Sequence, residues 1–179
     1  GYGYEKFVPE IPSISTIGEE DPKEKIKRKI AEILSGIGFL ETSNYHLTTK
    51  KDQFTKMGIN EKQESGAIFL EDSKTENEIL RKDLSSFCLK IFSENVDCEY
   101  PQKIFESGRV FYEDSGKIIE EDRLSIAKTP GNFTELKQSL EYLSKMLNLD
   151  FSFEEDANGK THFIDGRVAN ILLEGKKIG

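Results

Sequence analysis

The chain has no tryptophan, two histidines, two cysteines and five prolines among its 179 residues, and each scarcity closes off a class of function. A Ser/His/Asp or Cys/His site needs a histidine as base. His46 and His162 lie in no distinctive motif, so both read as structural or surface residues. Cys88 and Cys98 lack zinc-ligand spacing and have no His/Cys partner nearby, so no metal site is expected; they read as reduced thiols. No apolar run approaches the roughly 18 residues of a membrane span. No signal peptide opens the chain, so a cytoplasmic protein without a membrane partner is expected, and the Asn132-Phe133-Thr134 sequon carries no weight. Positive charge is also short: 25 Lys and Arg face 33 Asp and Glu, for a net charge of −8. That is the reverse of the basic footprint of a free-standing nucleic-acid binder. Neither a Walker pattern nor G-x-G-x-x-G is present, so the familiar phosphate cradles are missing.

What is plentiful is bulk for a core. Twelve Phe and six Tyr accompany 36% apolar residues, and the length suffices for one domain with a real interior. Residues 1–15 show Gly, Pro and aromatics without a period and read as a lead-in from a preceding domain. The first helix opens at Asp21 as N-cap, with Pro22 at its first position and Glu24 completing a capping box. Ile26, Ile30, Ile33, Leu34 and Ile37 form its stripe, Lys23, Lys25, Lys27, Arg28 and Lys29 crowd the other side, and Gly36 and Gly38 end it. "FLETSNYHLTTKK" reads as a strand, residues 50–62 as a short helix and turn, and "GAIFLED" as a short buried strand. Residues 78–94 read as a helix. Residues 103–112 and 117–127 form a hairpin about an acidic turn. Asn132 caps a third helix with a stripe of Phe133, Leu136, Leu140, Leu143 and Leu147. "DFSFEE", a turn at Asn158-Gly159 and the closing segment make the end strand-rich. Helices covering hairpins predict an α+β fold with a mainly antiparallel sheet.

The residues alone place no active site on this scaffold. Glu113, Asp114, Glu120, Glu121 and Asp122 form a charge run that reads as solvated surface rather than a metal site. The basic run at 23–29 reads as the wet side of an amphipathic helix rather than a phosphate contact.

Several stretches together carry a family likeness. "FVPEIPSISTIG" leads to a helix ending in "GIGFLETSNYHLT". "ILRKDLSSFCLKIFSENVD" places a helix after the Leu80-Arg81 pair. "PQKIFESGRVF" is similar to a Pro-x-x-Ile-Phe-Glu-x-Gly strand, and "NFTELKQSLEYLSKMLNLDF" and "FIDGRVANILLEGKKIG" follow in order. The chain resembles the catalytic-like module of the phenylalanyl-tRNA synthetase β subunit over nearly its whole length. It departs from the family at Glu71-Asp72-Ser73, where Asn-Pro-Leu is usual, and at Lys82, where Thr is frequent. The resemblance implies a class II synthetase-like core spanning residues 16–179, truncated at both ends, within a longer subunit.

In catalytic members of that class, an arginine in a Phe-Arg-x-Glu setting binds the α-phosphate of ATP, and a Gly-rich strand leads to a further arginine. Here Phe111-Tyr112-Glu113-Asp114 occupies the first place, and the second motif is not seen before Gly179. Tyrosine offers one neutral hydroxyl where arginine offers a permanent charge in a fork matched to phosphate. The resemblance therefore implies no catalytic residue and no cofactor bound by this fragment, with ATP and magnesium used by the parent complex. It implies the catalytic α subunit as partner, with tRNA in the full complex, and Ile26, Ile30, Lys27 and Arg28 as interface candidates. Arg109, on the same side of its strand as Phe111, reads as structural. An independent small-molecule or RNA-binding domain reusing the fold is the competing expectation.

Overall fold

The computed structural model describes residues 3–13, 16–61, 64–156, 163–164 and 166–179. Its centre is a long hairpin, β4 (Gln102–Asp114) and β5 (Lys117–Thr129), paired along its full length from Gln102 opposite Thr129 to Asp114 opposite Lys117. Ser115 and Gly116 turn it with φ of 51° and 76°, the two positive values that match the twist of a tight hairpin. Both strands extend beyond the predicted bounds, because no residue between Gln102 and Asp114 interrupts the ladder.

The two helices on one side of this hairpin form as their sequences dictate. α1 (Pro22–Gly36) is capped by Asp21, whose carboxylate accepts from the Lys23 N–H at 2.7 Å. Glu24 does not reach back to the cap as a capping box requires. It turns along the helix to Lys27, at 2.8 Å. α3 (Phe133–Leu147) is capped by Asn132, which accepts from the Glu135 N–H at 3.0 Å, and ends at Asn148 in the left-handed region. Ile33 and Leu34 of α1, Leu143 of α3, Phe39 and Phe105 of β4 make one buried cluster, with Ile30, Ile37, Leu124, Ile126 and Leu147 packed around it.

The stretch between α1 and the hairpin departs from expectation. The single strand predicted from residue 39 onward is two short ones. β1 (Leu40–Glu41) lies parallel to β4, and β2 (Leu47–Thr48) lies antiparallel to β3 (Ile79–Leu80) in another ladder. A π-helical turn at Lys51–Thr55 follows β2. "GAIFLED" contributes only an isolated bridge, Phe69 to Ile79, and Phe69 and Leu70 are exposed. The helix expected over 78–94 is α2 (Ser85–Glu94) alone. Its first residues are claimed by sheet pairing: Arg81 donates its N–H to the His46 carbonyl and accepts at its own carbonyl from the Phe111 N–H. The helix then starts where Asp83 accepts from the Ser85 and Ser86 N–H groups.

Beyond α3, β6 (Phe151–Glu155), β7 (Ala169–Leu173) and β8 (Lys176–Lys177) form a third, antiparallel sheet. The predicted turn at Asn158-Gly159 and His162 lie outside the described residues. The α+β class holds, and β1 against β4 is the one parallel pairing among the described strands.

Candidate functional site

Alternation along β4 and the register of the hairpin sort side chains onto two faces. Phe105, Arg109 and Phe111 share the α1 side. Glu106, Gly108, Val110 and Tyr112 share the other, with Ser125, Arg123, Glu121 and Ile119 directly opposite them on β5. The second face carries Tyr112, the residue singled out from sequence.

That face is covered by the chain's own ion pairs. Tyr112 Oη donates to Glu121 Oε2 at 2.8 Å, and Arg123 Nε donates to Glu121 Oε1 at 3.2 Å. The Arg123 guanidinium lies 5.5 Å from the centre of the Tyr112 ring, within cation–π range. Tyr112 thus sits in a closed trio rather than facing an open bed. The Glu121 charge, hydrogen-bonded to the phenol, pushes the Tyr112 ionisation above its ordinary value. The Arg123 guanidinium, opposed by partial burial and helped by the phenol, holds the Glu121 carboxyl below its own. The neutral phenol is therefore stabilised in the folded chain. Its contribution is present below the ordinary tyrosine pKa of about 10 and is lost as pH rises through the elevated folded value. In an ultraviolet titration, the tyrosinate component abolished by Tyr112→Phe should ionise at higher pH in the unchanged chain than in a Glu121→Gln chain. Equal midpoints in the two would contradict the trio.

Further along the same face, Arg81 lies over Gly108. Its Nη1 is 2.5 Å from Glu106 Oε1 and 3.1 Å from the Asn44 carbonyl, and its Nε donates to the Arg109 carbonyl at 2.7 Å. Asn44 Nδ2 donates to Glu106 Oε2 at 2.6 Å. Both charged side chains are only 2% exposed. Beside them, Cys88 of α2 approaches Ser125 at 3.4 Å, and burial pushes its thiol up. The hollow left at this end, lined by Gln53, Phe54, Lys82, Asp83 and Arg123 among others, is about 50 Å³. Ligand pockets run to about 300 Å³ and more, so a nucleotide does not fit it. Lys82 there is paired with Glu64. A shallow, open hollow of about 350 Å³ lies between α3 and β6. Ser144 on its wall already bonds the Leu149 carbonyl and the Phe151 N–H.

Ile26 is 56% exposed, whereas Ile30 packs against the core cluster. Arg28 is exposed and paired with Glu20 at 2.9 Å. Lys27 is not on the wet side of α1: it is half-buried against the sheet, 3.1 Å from Asp122. Asp122 and Glu121 are likewise partly buried and paired, not solvated like Glu113 and Asp114. Burial pushes the Asp122 carboxyl up, but the paired Lys27 ammonium, with Arg109 and Lys23 behind it, holds it below its ordinary value. Arg109 pairs with Glu120 at 3.0 Å. His46 is exposed with its ring edge on Phe111. Cys88 is buried and Cys98 exposed, both free. Among the described residues, no His, Cys, Asp and Glu group is placed to hold a metal ion. None of the described helices is long and apolar enough to cross a membrane.

Arg123 and the burial of Arg81 were missed from sequence. The hairpin register would have found the first, since a turn at residues 115 and 116 places Arg123 and Glu121 on the face of Tyr112.

The architecture is that of the class II aminoacyl-tRNA synthetase core. The chain superposes on the crystal structure of pyrrolysyl-tRNA synthetase from Desulfitobacterium hafniense with a TM-score of 0.69 at 16% identity, covering 87% of this chain and 57% of that one. Within this fold the chain belongs to the phenylalanyl-tRNA synthetase β chain family, whose CLM domain model matches residues 8–179. It is 34% identical to the phenylalanine-tRNA ligase β subunit of Pyrococcus furiosus over 99% of its length and 32% of that protein. It is 33% identical to the β subunit of Archaeoglobus fulgidus over 100% of its length and 32% of that protein. The chain thus spans about a third of the length of the curated relatives it matches.

Proposed function

We propose that this chain is a non-catalytic structural module of a phenylalanine-tRNA ligase β subunit. It supports assembly with the catalytic α subunit and, in the full cytoplasmic complex, the presentation of tRNA for aminoacylation. Residues 1–15 are the lead-in from a preceding domain and residues 16–179 are the module. The α1 surface at the exposed Ile26 is the candidate partner surface, with Ile30 and Lys27 packed beside it toward the core and sheet and the exposed Arg28 further round the helix. ATP and magnesium act in the parent complex.

The observation that carries this reading is the self-paired face of the hairpin. Phosphoryl and adenylyl chemistry needs fixed positive charge aimed at developing negative charge. Here Arg123 is committed to Glu121 and Tyr112, and Arg81 to Glu106 and two carbonyls. A nucleotide would have to break these pairs as well as find room. Calorimetry of the chain with millimolar ATP and magnesium should give no heat of binding, and Tyr112→Arg should not create a site, because a lone guanidinium lacks its aligned partners. A micromolar nucleotide site in either chain would refute the reading.

A further inference from the structure

The surroundings of Arg81 have the composition of a receptor. A guanidinium is planar, carries its donors in a fork and presents a flat face. In this chain a carboxylate, Glu106, meets Nη1 at 2.5 Å, the Asn44 carbonyl meets the same nitrogen at 3.1 Å, and the Arg109 carbonyl meets Nε at 2.7 Å. The Phe87 ring centre lies 5.6 Å from Cζ on α2. Gly108 leaves the floor bare: a Cβ there would fall well inside contact with Arg81 Nη2 and stand 3.2 Å from Glu106 Oε1. Glu106 is itself held by the Asn44 side-chain amide at 2.6 Å and the Asn44 N–H at 3.2 Å, so the carboxylate is oriented without help from its guest.

We infer that the hairpin face carries a built guanidinium-binding site which the chain fills with its own arginine. Arg81 is a tethered ligand that fastens β4 to the Asn44 loop and to the segment after β3. The site recognises the fork and the plane, not merely a positive charge, because two of the acceptors are neutral carbonyls fixed by the main chain. An ammonium on a lysine stem can satisfy the carboxylate but cannot present donors in that plane. This stands apart from the nucleotide question: it concerns what the site holds, whether or not the chain has lost catalysis.

Thermal unfolding of the Arg81→Ala chain tests it, with methylguanidinium as probe and methylammonium at equal concentration as control. The variant should melt on the order of 10 °C below the unchanged chain. At about ten times its dissociation constant, methylguanidinium should restore several degrees of this. Methylammonium should restore none, and the unchanged chain, its site filled, should not respond to either. Equal responses to both cations, no response in a folded variant, or the same rise in the unchanged chain would overturn the inference. If Arg81→Ala does not fold, Arg81→Lys decides. A large fall in melting temperature supports fork recognition, and a midpoint within about 2 °C of the unchanged chain shows a simple charge pair instead.

Discussion

A Gly108→Ala chain should unfold on the order of 10 °C below the unchanged one, a loss of about 2–4 kcal/mol, although alanine suits a strand better than glycine does. The new methyl would collide with Arg81 Nη2 and crowd Glu106 Oε1. A flexible side chain usually yields to such a contact. This one is held at Nη1 and Nε by three acceptors, and moving it would leave a buried carboxylate unpaired. The matched control is Gly36→Ala at the end of α1, where an added Cβ meets nothing within 4 Å and helix preference predicts a gain of up to about 1 kcal/mol. Circular dichroism melts of the three chains make the comparison, and a Gly108→Ala midpoint within about 2 °C of the parent would show that Arg81 is not anchored as described.

An Ile26→Asp substitution in the full β subunit should abolish co-purification with the catalytic α subunit. Ile26 is apolar, continues the stripe of α1 and is 56% exposed, while its neighbours in the stripe are spent on the core. Obligate subunit interfaces are apolar at the centre, and a carboxylate buried there costs several kcal/mol, on the order of a thousandfold in affinity. Ile30 is the poorer site for the test, because it packs on the core cluster and a charge there would confuse unfolding with lost assembly. Lys117→Asp, at the exposed turn of the hairpin, should leave the yield unchanged. A folded Ile26→Asp subunit that still brings down its partner in full yield would remove α1 from the interface.

The parts of the fold legible in the sequence are those whose signals are local. Asp21-Pro22 and Asn132 mark helix starts by capping, and the stripes of α1 and α3 repeat over four turns. Ser115-Gly116 fixes the hairpin and, through it, every cross-strand pair. The stretch from residue 39 to residue 84 resists such reading because its pairings are remote and brief. A two-residue strand has no period to detect, and Ile79-Leu80 reads equally well as the first turn of a helix until its partner at Leu47-Thr48 is known. The candidate site divides the same way. Tyr112 was found by motif, but Arg81 was not seen as buried, since arginine ordinarily marks a surface. The available signal was on the other strand: Glu106 and Gly108 alternate inward beside Val110, and an acid in a buried row requires a hidden cation.

The Arg81 clasp also bears on how such a chain can change over generations. Asn44 and Glu106 are 62 positions apart, and Arg81 stands 25 from Glu106 and 28 from Arg109, so the members lie in separate stretches of the gene. Losing any one leaves a buried charge or amide without its counterpart, and a larger residue at 108 evicts the guest. Substitutions here are non-additive: each passes through a weakened intermediate unless its partners alter too. Positions 44, 81, 106 and 108 are therefore expected to be inherited as one unit, exchanged together for an apolar set or kept together, while the exposed charges around them drift one at a time.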